Sequence, residues 1–192
     1  TVQIKAMTAQ EEDILTSQAY IKDGSVVPNL IRSCLVDKTI DVDDLITGDR
    51  NALMVAIRIT GYGNIYKVGY TCGNCSHQEK IDIDLSSLPI RRLEEQPIIE
   101  GKNLFSYVLP VTKKTIHYKY ITGHDEKEED MKRKRLDKLG IQMGGNVTNF
   151  LESIIVSVDG VEDKNKIKHF VANMPALDSR KLRLHVRNSE PG

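Results

Sequence analysis

The spacing Cys72-Gly-Asn-Cys75, set between two segments that alternate apolar and polar residues, constrains this chain more than any other feature. Ahead of it Tyr66, Val68 and Tyr70 alternate with Lys67, Gly69 and Thr71; after it Ile81, Ile83 and Leu85 alternate with Asp82 and Asp84. A period of two reads as a half-buried strand on each side, which puts the cysteines at the tip of a hairpin. Cysteines so spaced direct both sulfurs at one point, because the turn between them also aims backbone N–H groups at the thiolates. That is half of a tetrahedral zinc site. The candidates for the remaining ligands are Cys34 and His77, with His117, His124, His169 and His185 behind them. Two other readings stand beside zinc: an inert reduced pair, and a redox pair, which calls for a helix after the cysteines where this sequence places a strand. Cys34, between Ser33 and Leu35, also reads as an ordinary core residue of a short helix, and His77 follows Cys75 closely for a ligand.

A chain of 192 residues buries a real core without metal or disulfides. Its 27 basic and 27 acidic side chains cancel, so no overall field draws it to nucleic acid, an anionic membrane or an acidic substrate. Three cysteines, two of them in metal-type spacing, argue for a reducing compartment rather than a secreted disulfide framework. The start, Thr1-Val-Gln-Ile-Lys-Ala-Met7, lacks a signal-peptide pattern, and no apolar run approaches the ~18 residues of a membrane span; the expectation is a soluble, untargeted protein.

In chain order, residues 2–5 suggest a short strand. Thr8 and Glu11 form a capping-box pattern that opens a helix through about Tyr20. Pro28 suits the first turn of a helix carrying Leu30, Ile31, Cys34 and Leu35. Asp41, Asp43 and Asp44 suggest helix-start capping better than a calcium loop, since the glycine and distant glutamate of such a loop are missing. The apolar run 52–59, closed by glycines at 61 and 63, reads as a buried helix and its stop. Residues 91–102 are loop-like, and 104–110 with 115–121 make a second hairpin in which His117 and Lys119 face out and Ile116, Tyr118 and Tyr120 face in.

The charge run 125–138 places acids first and bases last, as a solvated helix prefers; its basic half, 132–135, is the one stretch that suggests phosphate contact. The glycine-rich 140–146 fails as a phosphate loop, having no Gly-Lys-Ser/Thr ending. Val147, Phe150, Leu151, Ile154, Ile155 and Val158 share a helical face before Asp159-Gly160. Further helices are expected around Ile167 to Met174 and, after Pro175, over 178–186.

Several of these residues, taken in order, resemble the base plate hub protein family of T-even-like contractile-tailed bacteriophages. They are Met7-Thr8-Ala-Gln-Glu-Glu12, Leu45 and Asp49-Arg50 leading to Ile57-Arg58, Gly61-Tyr62-Gly63 with Tyr66, Cys72 and Cys75, Asp84-Leu85 and Leu88. Leu109-Pro110, Ile121-Thr-Gly-His-Asp125, Val158-Asp-Gly160, Asp178-Ser-Arg180 and Leu182-Arg183 extend the likeness over most of the chain. The resemblance implies a virion structural or assembly protein, made in the host cytoplasm and joined to other hub and tail proteins in an oligomeric assembly. It also implies that relatives continue past the position of Gly192 with a second cysteine pair, which would supply the two missing zinc ligands.

The expected fold is α+β: two antiparallel hairpins, the first with a zinc-knuckle-like tip, packed with roughly six helices and a helical C-terminal third. The division falls at 1–121 and 122–192, or the two parts form one continuous domain. The leading function is non-enzymatic assembly through protein–protein contacts, with zinc structural. A zinc-ribbon-like nucleic-acid-binding module is the alternative, and a thiol–disulfide enzyme the third reading.

Overall fold

The computed structural model describes residues 2–140 and 144–192. Of the glycine-rich stretch 140–146, positions 141–143 lie outside the described residues. Among the described residues the fold is α+β, with eight α-helices, one 3-10 turn and two small antiparallel sheets. The chain divides into two compact units, one running to Ile90 and the other spanning Arg91–Pro191.

The N-terminal unit begins with helix α1 (Ala9–Thr16), opened by the expected capping box between Thr8 and Glu11. The helix does not run on to Tyr20. Ser17 is extended and caps both sides of a break, closing α1 and offering its hydroxyl to the amide of Tyr20 at the start of α2 (Gln18–Asp23). Serine competes for backbone partners and so favours such a break over a helix interior. Helix α3 (Val26–Cys34) buries Pro28, Leu30, Ile31 and Cys34. The expected strand at 2–5 reduces to one bridge, Ile4 against Leu35, held by Lys5 N to Cys34 O at 2.8 Å.

Of the three aspartates Asp41 caps a turn rather than a helix, accepting from the amide of Asp43, whose own carboxylate lies 3.6 Å from Arg32, and α4 (Thr47–Tyr62) starts later. That helix is less buried than its apolar run suggests. Ile57 alone of the run 52–59 is fully enclosed, joining Leu30, Ile31, Cys34, Leu35 and Val42 in the core, with Leu53 and Met54 at its margin. Gly61 lies where an added Cβ would sit 3.1 Å from the Cβ of Met7, so its lack of a side chain admits Met7 to the helix surface. Gly63, at φ +82°, ends the helix in a conformation glycine alone adopts without strain. The chain then enters β1 (Ile65–Thr71), which pairs antiparallel with β2 (Gln78–Asp84).

The second unit opens with the expected irregular segment and forms β3 (Phe105–Val108) and β4 (Thr115–Tyr118). The inward and outward faces of β4 fall as the alternation predicts: Ile116, Tyr118 and, beyond the strand, Tyr120 are enclosed, with His117 on the opposite side. The helical face read over 147–158 is only half helix. Helix α6 (Asn146–Ile154) stops at Ile155, and Ile155–Val158 becomes β5, pairing with β4 to make a three-stranded sheet where a two-stranded hairpin was expected. The β-branched Ile155, Val156 and Val158 suit a pleated surface better than a helix, and β4 offers the free edge they need. Charged helix α5 (Gly123–Lys138), α7 (Lys164–Ala172) and α8 (Ala176–Ser189) complete this unit. Its interior holds Phe105, Leu109, Leu151, Ile154, Ile167, Val171, Leu182 and Val186.

The exposed hairpin arm and its cysteine tip

The register of β1 and β2 sorts the hairpin into two unlike faces. Tyr66 stands opposite Ile83, Val68 opposite Ile81 and Tyr70 opposite Glu79, so five apolar side chains share one face. Lys67 opposite Asp82, and Gly69 opposite Lys80, make the other face polar. The strands are not half-buried, as alternation alone suggested. Tyr66 is 46 % exposed, Tyr70 51 %, Ile81 43 % and Ile83 38 %, because among the described residues this sheet has no third strand and its apolar face, apart from Arg58 over Tyr66, stands open to solvent.

The base of the arm is fixed firmly to α4. Asn64 donates its side-chain amide to Asp84 at 2.9 Å, and its carbonyl accepts from the amide of Leu85. The Arg58 guanidinium donates to the Gly63 carbonyl at 3.0 Å and lies over the rings of Tyr62 and Tyr66, 5.0 and 5.7 Å from their centres. Asp84 also caps the 3-10 turn Leu85–Ser87, and its hydrogen bonds to Ser86 hold its carboxyl below the usual range.

At the tip, Cys72 N donates to His77 O at 2.8 Å and Ser76 N to Cys72 O at 2.9 Å, closing a tight turn. Ser76 takes φ +57°, the left-handed region, to bring the chain back into β2. The amide of Cys75, then that of Asn74, points at the Cys72 sulfur, and together with the Cys75 side chain they hold the Cys72 thiol below its ordinary range. The spacing thus produces the sulfur-directed amides it predicts. The structure brings Cys72 and Cys75 together and leaves the other two candidate ligands elsewhere. The His77 side chain is exposed beside the turn. Cys34 is sealed among Leu30, Ile31 and Leu35, where burial first and the charge of Glu11 second push its thiol up. Among the described residues, no set of three ligating side chains includes Cys72 or Cys75.

The basic stretch 132–135 lies on α5 as expected, but Arg133 and Lys134 both reach Asp130, at 2.5 and 2.7 Å. In the second unit Tyr118 donates to Glu95, whose other oxygen lies 3.0 Å from His185, and Tyr107 stacks on the His185 ring. Sequence reasoning missed this cluster because Glu95 sits in a segment without periodicity. It also missed the exposure of the arm. The available signal was that a single apolar face on a two-stranded ribbon has to be covered by something, and no further segment near it in sequence alternates to match.

The arm is thus a two-faced ribbon, apolar on one side and polar on the other, projecting from the helices of the N-terminal unit. The family model for T4 bacteriophage base plate protein matches residues 1–104, more than half of the chain, and the chain belongs to that family. The match contains the whole N-terminal unit with its arm. It makes the protein a component of the phage tail, in company with other tail proteins. No curated protein and no solved structure matches the chain.

Proposed function

We propose that this base plate protein is a hub component that works by protein–protein contact rather than catalysis, and that it enters the tail from an intermediate assembled in the host cytoplasm. The arm supports this reading. Its apolar face presents Tyr66, Tyr70, Ile81 and Ile83 to solvent around a half-buried Val68, and a two-stranded ribbon of this length is marginal by itself in water. Covering such a face contributes about 1.5–3 kcal/mol for each large apolar side chain fully buried, enough for a few residues to decide whether a subunit joins.

The test exploits the register. In Val68→Glu/Ile81→Lys the new charges face each other across the ribbon and preserve the pairing, while the apolar face is lost. Supplied in trans to a phage lacking its own copy, this variant is expected to cut hub incorporation and infectious particles at least 100-fold, with the purified protein still folded by circular dichroism. Normal tails built with the charged arm would refute docking through this face.

A further inference from the structure

We propose that the arm's occupant is a second copy of this chain, and that the two Cys72–Cys75 pairs together bind one zinc ion at the joined tips. The proposal rests on the reading of the arm as a docking surface and names what covers it.

Three observations lead to it. The first is the tip itself: two sulfurs brought together, with the amides of Cys75 and Asn74 directed at Cys72, are preorganised for a tetrahedral thiolate metal and supply two of its four donors. The second is the lack of a third donor beside them among the described residues, with Cys34 locked in the core. The third is that metal half-site and apolar face lie on the same side of the ribbon. Cys72, whose amide donates to His77 O across the ribbon, continues the alternation of Tyr66, Val68 and Tyr70. A partner that completes the metal therefore also meets the apolar face.

A second copy satisfies both demands at once. A two-fold axis running along the arm between two apolar faces stacks the faces and sets the two tips against each other, two thiolates from each side of the metal. The charges of the ribbon do not oppose this. Lys67 stands opposite Asp82 on the outer face, while on the inner face Glu79 lies at the far end opposite Tyr70 and the Arg58 guanidinium lies over Tyr66 at the base. Four thiolates and one zinc carry a formal charge of −2, which the turn amides at both tips help to stabilise.

The experiment measures mass and metal together. The full chain, purified under reducing conditions and supplied with zinc, is expected to run as a dimer by light scattering with one zinc per two chains. Chelation should return it to a monomer. Cobalt in place of zinc should show the ligand-field spectrum of a tetrahedral four-thiolate site. Cys72→Ser/Cys75→Ser is expected to bind no zinc and stay monomeric, with its helical circular dichroism unchanged. Val68→Glu/Ile81→Lys, with the cysteines intact, should raise the dimer dissociation constant at least 100-fold. One zinc held by a monomer would overturn the proposal, as would a dimer indifferent to chelation and to the cysteine changes, or a folded chain that takes up no zinc. Any of these, found while the charged arm still blocks tail assembly, would remove the second copy and leave the docking role standing.

Discussion

Glu11→Gln is expected to lower the stability of the N-terminal unit by about 3 kcal/mol at neutral pH, the scale of breaking a buried, fully bonded carboxylate. The side chain is completely enclosed. One carboxylate oxygen accepts from Lys5 Nζ at 2.7 Å and Ser33 Oγ at 2.6 Å; the other accepts from the Thr8 amide at 2.9 Å and hydroxyl at 2.6 Å. One residue thereby ties the N-terminal segment, the start of α1 and the end of α3. A glutamine replaces two of those acceptor positions with an N–H group facing donors. With the amide group on one side Lys5 and Ser33 lose their acceptor, and with it on the other the Thr8 amide and hydroxyl do; of these donors Lys5, whose side chain is 44 % exposed, turns to water at least cost. Lys5 first, then Ser33 and Thr8, depress the Glu11 carboxyl far below its ordinary range against the pull of burial. A depressed carboxyl adds stability above the unfolded value and loses it as pH falls through the folded one. The wild-type unit should thus weaken in acid along a slope that Glu11→Gln flattens. Chemical denaturation of both proteins at neutral and acid pH measures this, and a difference under about 0.5 kcal/mol at neutral pH would show that the network contributes little.

Asp178→Asn should cost the second unit about 2–3 kcal/mol, again because one acceptor oxygen becomes a donor facing an amide. Asp178 lies in the first turn of α8, fully enclosed, and accepts from the amides of Val111 at 2.7 Å and Thr112 at 3.0 Å in the loop between β3 and β4. Burial raises its pKa, but these two amides and the charge of Lys113 outweigh it and leave the carboxyl lowered. The helix N-terminus acts in the same direction. Amide exchange reads the effect locally: the protected amides of Val111 and Thr112 should open first in the variant. Protection there equal to wild type would assign the loop's order to other contacts.

These two residues show how far the sequence carries. The capping box at Thr8 and Glu11 is written locally and was readable; that Glu11 also receives Lys5 and Ser33 depends on the fold, since Ser33 lies 22 positions away. Asp178 reads as a helix-start acid, but its bonds to a loop 66 and 67 positions earlier have no local signature. Periodicity found β1, β2, β3, β4 and most helices. It failed at Ser17, where a hydroxyl takes over backbone bonding, and at Ile155–Val158, where the residues fit either a helix face or a strand until β4 supplies an edge. The cysteine turn was legible because its spacing is its geometry. The exposure of the arm was not, because alternation reports which residues share a face and says nothing about whether a neighbour covers it.

The hairpin also ties the subunit's lifetime to its placement. Lys67 and Lys80 sit on a ribbon whose two outer edges are unpaired and whose base alone is clamped to a helix. In a free copy such an exposed ribbon offers these lysines to a trypsin-like protease. Once packed, the same peptide bonds are shielded. Limited trypsin digestion therefore reads directly whether the ribbon is covered or bare.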